Sequence, residues 1–120
     1  MGVRSFRDLV AYQQSVRLTR LVRDFAFTLP NEERYALRSQ LQRAAYSVPL
    51  NIAEGYGVGT TPATLRHLRI ARGSICEVQC ALDIAGALEY KPPAKELTEN
   101  LDRSARLLQG LIQSLENRNS

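Results

Sequence analysis

Histidine and cysteine, which supply most metal ligands and nucleophiles, are scarce in this sequence, with one histidine and two cysteines among 120 residues. The histidine, His67, has no acidic neighbour in the sequence, so a nucleophile with a base is hard to assemble. The Glu-x-x-His pair of di-metal sites in helical bundles is absent. Gly55, Gly57 and Gly59 follow a predicted helix and lack the downstream lysine of a phosphate loop. We therefore expect a protein that is not an enzyme and that holds no cofactor or metal ion.

The two cysteines favour a structural role. Cys76 and Cys80 are four residues apart in a helical pattern, and a metal site would need two further ligands. His67 is about two helical turns from Cys76 and has arginines around it. We interpret both cysteines as small, buried, apolar side chains in a protein of a reducing compartment.

Long hydrophobic runs are also absent. The uncharged stretch Ala44–Ala53 covers ten residues and no uncharged stretch exceeds eleven, whereas a membrane span needs about 20. The first arginines lie beside single apolar residues, which is not the pattern of a secretory signal. We therefore expect a cytoplasmic protein without a membrane partner. With 44% hydrophobic residues, positions 1–120 can bury the core of a single domain.

Positive charge is concentrated in the first part of the chain. Residues 1–72 hold eleven arginines and five acids, whereas residues 73–120 hold five basic and seven acidic residues. Fourteen of the sixteen basic residues are arginine, whose planar guanidinium suits phosphates and stacked bases. This distribution favours an anionic partner. The alternative is that the arginines only solvate helix surfaces.

Apolar residues recur at three- and four-residue steps in four segments, which is the spacing of one helix face. The segments are Phe6–Thr28, Glu32–Gly55, a stretch from Thr60 or Thr61 to Leu88, and Ala94–Leu115, with the tail after Leu115 expected to fray. Strand signals are absent. Four helices joined by short connections predict an all-α protein, an antiparallel up-down-up-down four-helix bundle.

Each predicted helix has an apolar stripe that we expect to face the core. The stripes are Ala11, Ser15, Leu18, Val22, Phe25 and Leu29; Leu37, Leu41, Ala45, Val48 and Ile52; Leu68, Ala71, Ile75, Val78, Leu82 and Ala85; and Leu97, Leu101, Ser104, Leu108, Leu111 and Leu115.

Pro49 falls inside the second helical pattern. Proline lacks an amide donor, so it frees the carbonyl of Ala45 and is expected to kink helix two.

The third helix is apolar around most of its circumference, because only Glu77 and Asp83 are charged between Gly73 and Leu88. We expect this helix to be covered on more than one side, either at the centre of the monomer or at an interface of a homo-oligomer. Small residues form a line that would permit close helix approach: Gly73, Cys76, Cys80 and Ala87.

A group of polar residues lies beside the apolar stripes of helices two and three. Buried polar groups need hydrogen-bond partners, so this group predicts a network that braces the kink and fixes helix register. The alternative is a ligand-binding pocket. The members are Gln40, Arg43, Ser47, Asn51 and Glu54 on helix two and Ser74 and Glu77 on helix three.

Two sets of three arginines repeat every third residue and spread positive charge along one side of a helix. Such surfaces bind nucleic acid through phosphates, with affinity that falls steeply as salt rises. No platform of interleaved aromatic residues for base stacking is visible in the sequence. The first set lies on the first predicted helix, is called the α1 triad, and is Arg17, Arg20 and Arg23; the second lies on the third predicted helix, is called the α3 triad, and is Arg66, Arg69 and Arg72.

Several motifs together resemble a known family, the four-helix-bundle or ribosomal RNA intervening-sequence proteins. The resemblance covers nearly the whole chain. It rests on Phe6-Arg-Asp-Leu9, Arg43-Ala-Ala, Ser47-Val-Pro49, Asn51-Ile-Ala-Glu-Gly55 and Ala71-Arg-Gly-Ser-Ile-Cys-Glu77.

The resemblance implies a ring of bundles, with a pentamer favoured, and attaches no catalytic role to the shared motif residues. The family is also distantly similar to the accessory protein of diversity-generating retroelements, which binds a reverse transcriptase and RNA. We therefore predict a non-enzymatic, oligomeric protein that binds nucleic acid, with structured RNA favoured. The alternative is an interaction scaffold that binds an acidic protein.

Overall fold

The computed structural model describes residues 5–119, in which four long α-helices and two single-turn 3₁₀ helices account for the regular structure. The long helices are α1 (Val10–Ala26), α2 (Leu37–Gly57), α3 (Thr61–Ala87) and α4 (Lys95–Asn119). The short ones are Phe6–Asp8 and Asn31–Glu33. No strand occurs in this described range. The expectation of an all-helical chain with four helices is confirmed.

The helix boundaries differ from the predicted ones at three ends. The starts predicted at Phe6 and Glu32 are 3₁₀ turns, and α1 and α2 begin several residues later. At the other end α4 continues to Asn119, so the prediction of fraying from Glu116 onward is wrong for the described residues; Ser120 lies outside them. Leu115 is buried and Glu116 forms an ion pair with Arg69, and these contacts hold the last turns in place.

The predicted apolar stripes form the core. Every residue of the first two stripes is buried, and in the last two only Leu82 and Leu111 remain partly exposed. α4 also buries Asn100 and Ile112, which the stripe did not include. Asn100 Nδ2 donates to the carbonyl and to the side-chain oxygen of Gln14, at 3.3 and 3.1 Å. A buried amide is tolerated there because it has partners.

Each long helix contacts two others, α1 with α2 and α4, and α3 with α2 and α4. The molecule measures 45 × 24 × 23 Å along its principal axes. α2 is continuous through Pro49, and the kink at this residue stays a prediction.

Tyr90, in the connection before α4, donates a 2.7 Å hydrogen bond to Glu33, which raises the pKa of the phenol.

The interpretation of the cysteines as buried residues is wrong, because Cys76 and Cys80 are both exposed. Gly73 and Ala87 are exposed as well, so this small-residue line does not lie at the centre of the monomer. The buried stripe of α3 and the residues that face α2 occupy the opposite side of the helix. Apolar composition alone does not locate the buried side when the outward face also carries small, uncharged residues.

Candidate functional site

The polar motif residues lie along the contact between α2 and α3. At one end, the side-chain amide of Gln40 donates to the carboxylate of Glu77. Nearer the middle, Ser74 Oγ lies 2.8 Å from Ser47 Oγ and donates to it. Ser74 is buried and Ser47 is half-buried, so this bond links the two helices where water has little access.

Asn51 continues the network toward the C-terminal end of α2. Its Nδ2 donates to the carbonyl oxygen and to the hydroxyl of Ser47, at 2.9 and 3.0 Å. Its Oδ1 lies 3.1 Å from Nδ1 of His67 on α3. The carboxylate of Glu54 is 3.9 Å from the same nitrogen, and its side chain is 64% exposed. Asn51 is therefore the residue that joins the serine pair to the histidine.

The helices approach each other closely at Gly55. A β-carbon built on this glycine would lie 3.0 Å from the β-carbon of His67 and 3.2 Å from the carbonyl oxygen of Thr64. The hydroxyl of Thr64 donates to the carbonyl of Gly55 at 2.6 Å. A side chain at this position would therefore make a tight contact with α3, and glycine lets the two helices pack closely here.

Arg43 is the motif residue that stays outside this network. It is exposed, and it has no ion-pair partner in the described part of the chain. It borders an open groove of about 280 Å³ whose walls also include Gln40, Ser47, Ser74 and Glu77. Most of the motif therefore links helices, and the alternative of a ligand-binding pocket stays a prediction.

Sequence reasoning missed two members of the network, Thr64 and His67. The partners of His67, Asn51 and Glu54, come from α2, so they are not its neighbours in the sequence. A signal was present, since Thr64, His67 and Ser74 recur at helical spacing beside the apolar stripe of α3. That pattern predicts a polar edge but not its partners.

Replacing Asn51 with leucine is expected to lower the free energy of unfolding by about 1 to 3 kcal/mol, because Ser47 and His67 lose a partner at a half-buried position. Glu54→Leu serves as the matched control. Its side chain is largely exposed, so we expect a change within about 0.5 kcal/mol. Urea unfolding of both variants measures the difference, and equal losses would contradict the assigned role of Asn51.

The arginines of the α1 triad are all exposed, but each has a neighbour. Arg17 pairs with Glu96 of α4, and Arg20 lies 3.9 Å from Asp24. The guanidinium of Arg23 lies 5.8 Å from the centre of the Phe27 ring. Exposed ion pairs are weak, so these partners leave the arginines available to a stronger anion.

The α3 triad is exposed as well. Arg69 lies 2.8 Å from the carboxylate of Glu116, and Arg72 donates to the side-chain oxygen of Gln109 at 3.1 Å. Arg66 has no ion-pair partner among residues 5–119.

The two triads are far apart on one chain. Arg17 contacts α4 at Glu96 and Arg69 contacts it at Glu116, and these acids are separated by about 30 Å along the helix axis. They therefore do not merge into one continuous patch on a single subunit.

No three His, Cys, Asp or Glu side chains in the described part of the chain group closely enough to hold a metal ion. None of the described helices combines the length and the apolar character that crossing a membrane requires.

The fold and this site define an all-helical protein of four helices, in which a polar motif joins α2 to α3. A family model described as 23S rRNA-intervening sequence protein matches residues 7–110. The chain belongs to this family, which confirms the resemblance seen in the sequence. A search of curated proteins finds no match.

Proposed function

We propose that the protein is a non-enzymatic, homo-oligomeric binding protein for structured RNA. The observation that carries the proposal is membership of the 23S rRNA-intervening sequence family. The exposure of all six arginines of the α1 and α3 triads supports it. Arginine binds phosphate through paired N–H donors, which gives affinity with little base selectivity.

Filter binding with a structured RNA across a series of salt concentrations tests this function. We expect binding at low salt, with the logarithm of the association constant falling linearly as the logarithm of salt rises. Absence of RNA and DNA binding even at the lowest salt would reject the proposal. A duplex DNA of similar length shows whether RNA is preferred.

The second candidate is an interaction scaffold for an acidic protein. Arg17 and Arg69 each pair with a glutamate of α4, so both already bind the chemical group that such a partner would present. A pull-down from lysate with and without nuclease separates the two functions. Partners that disappear after nuclease support RNA, and partners that persist support the scaffold.

We propose that the exposed small-residue line of α3 forms the interface of a ring, with five subunits favoured. Ile84 of α3 and Leu88, which directly follows this helix, are exposed, at 45% and 51%, which adds apolar surface for a neighbouring subunit to cover. A closed ring satisfies every copy of a head-to-tail interface. The proposed cytoplasmic location would give this interface a reducing environment.

The substitution Cys80→Arg is expected to convert the oligomer to monomers, because it places a charged side chain in the proposed apolar interface. Since Cys80 is exposed in one chain, the monomer is expected to keep its helicity. Light scattering measures the mass, and circular dichroism measures the helix content. A monomeric wild-type protein at micromolar concentration would contradict the ring.

We further propose that the helices run up-down-up-down and that Pro49 kinks α2. The contacts support alternation, since residue numbers fall along α3 as they rise along α2, from Gln40 with Glu77 to Gly55 with Thr64.

A further inference from the structure

Two aromatic rings stand exposed at the corner between α1 and α2. Phe27 directly follows the last residue of α1 and is 58% exposed, and Tyr35 precedes α2 and is 86% exposed. In the sequence these rings are eight residues apart on either side of a proline, which is not an interleaved aromatic pattern. The chain reversal brings both to the same hollow.

Arginine guanidinium groups lie over both rings. Arg23 and Arg38 are 5.8 and 5.1 Å from the centre of the Phe27 ring, and Arg34 is 5.4 Å from the centre of the Tyr35 ring. These distances are within the range of cation–π contacts. Arg38 is also held by the backbone, because it donates to the carbonyls of Ala26 and Leu29 at 3.1 and 2.8 Å.

The hollow between these groups has a volume of about 380 Å³ and no acidic side chain among its lining residues. Asn31 and Gln42 in its wall supply amide donors and acceptors. The nearest acids in the sequence are Glu32, which is exposed, and Glu33, whose carboxylate accepts from Tyr90. Stacking surface, positive charge and amide groups therefore meet in one place.

We propose that this corner is a stacking site for an unpaired nucleobase of RNA, with Arg23 and Arg34 contacting the flanking phosphates. The proposal rests on the RNA-binding function and gives it a specific contact. Bases that are splayed out in RNA loops stack on aromatic rings and on guanidinium planes, and every base has such a face. The four residues here are Phe27, Tyr35, Arg23 and Arg34, and Arg38 positions the Phe27 ring.

The location agrees with the path of the α1 triad. Arg20 and Arg23 lie on the exposed side of the last turns of α1, and Phe27 follows one turn after Arg23. An RNA strand whose phosphates contact these arginines in turn would reach the hollow at the C-terminal end of α1. An acidic peptide could use the same charges, but it gains no stacking from the two rings unless it also carries aromatic side chains.

Fluorescence anisotropy with a labelled single-stranded oligouridylate tests the stacking site. Tyr35→Ala and Phe27→Ala are each expected to weaken binding by about 5- to 100-fold, in the range measured for one stacked base. Their salt dependence is expected to match that of the wild type, because no charge is lost. Tyr35→Phe keeps the ring and is expected to restore binding.

Tyr46→Ala is the matched control, since Tyr46 is an exposed aromatic residue of α2 outside the hollow, at 45% exposure. It is expected to bind as the wild type does. A fully paired RNA duplex has no free base to stack, so its binding is expected to be the same for all variants.

Three results would overturn the inference in distinguishable ways. If the wild type binds RNA and both alanine variants bind it equally well, the stacking site is wrong and the general function stands. If the wild type binds neither the single strand nor the duplex at low salt, the function itself fails. If the two alanine variants bind RNA normally but lose a protein partner that resists nuclease in the pull-down, the corner is a protein-binding site instead.

Discussion

Replacing Gly55 with alanine is expected to lower the free energy of unfolding by up to about 2 kcal/mol, because the cost of forcing an extra methyl group into a packed site, about 1 to 3 kcal/mol, exceeds the gain in helix propensity of about 1 kcal/mol. The added β-carbon would lie 3.0 Å from the β-carbon of His67 and 3.2 Å from the carbonyl of Thr64. Both contacts involve atoms at or near the backbone, so no flexible side chain can move aside. Relieving these contacts takes a shift of a few tenths of an ångström between the two helices, which would lengthen the bond from Thr64 to the Gly55 carbonyl.

Gly110→Ala in the middle of α4 is the control. A β-carbon there meets nothing within 4 Å, so the substitution is expected to stabilise the protein by about 1 kcal/mol through higher helix propensity. Denaturant unfolding of both variants gives effects of opposite sign. Stabilisation by Gly55→Ala would show that α2 and α3 are not so closely packed at this point.

Reversing the charge of Arg17, Arg20 and Arg23 to glutamate is expected to weaken RNA binding by about 100-fold or more at 0.1 M salt. If each arginine neutralises one phosphate, removal of all three also lowers the slope of the salt dependence by about 2 to 3. The side chains are exposed, so the fold is expected to remain intact.

A second triple variant separates local contacts from net charge. Lys91, Arg106 and Arg118 are exposed basic residues outside both triads, and their reversal to glutamate changes the net charge by the same amount. Salt titrations of both variants with one structured RNA make the comparison. Equal losses would mean that overall charge drives binding, and the α1 triad would lose its assigned role.

The helical segments and the core could be predicted from the sequence because apolar residues at helical spacing define which face of each helix loses contact with water. Leu18, Leu41, Leu68 and Leu108 are fully or almost fully buried, as their stripes predicted. Helix ends were less predictable. α4 continues beyond the predicted fraying point, where tertiary packing buries Leu115 in its last turns.

The candidate sites were only partly predictable. The residues of the polar motif could be named from their position beside the stripes, but not the partners Thr64 and His67. The exposure of Cys76 and Cys80 was predicted wrongly, because small apolar residues are compatible with either side of a helix.

The sequence by itself determined that this chain forms four amphipathic helices, and its motifs identified the family. Only the tertiary structure decided that Asn51 contacts His67, that α3 packs closely against Gly55 of α2, and that Phe27 and Tyr35 line one hollow. The physical reason is the separation along the chain of the residues involved. Helical periodicity is a property of neighbouring residues, whereas these contacts depend on how one helix is rotated and shifted against another, which is set by packing over the whole core.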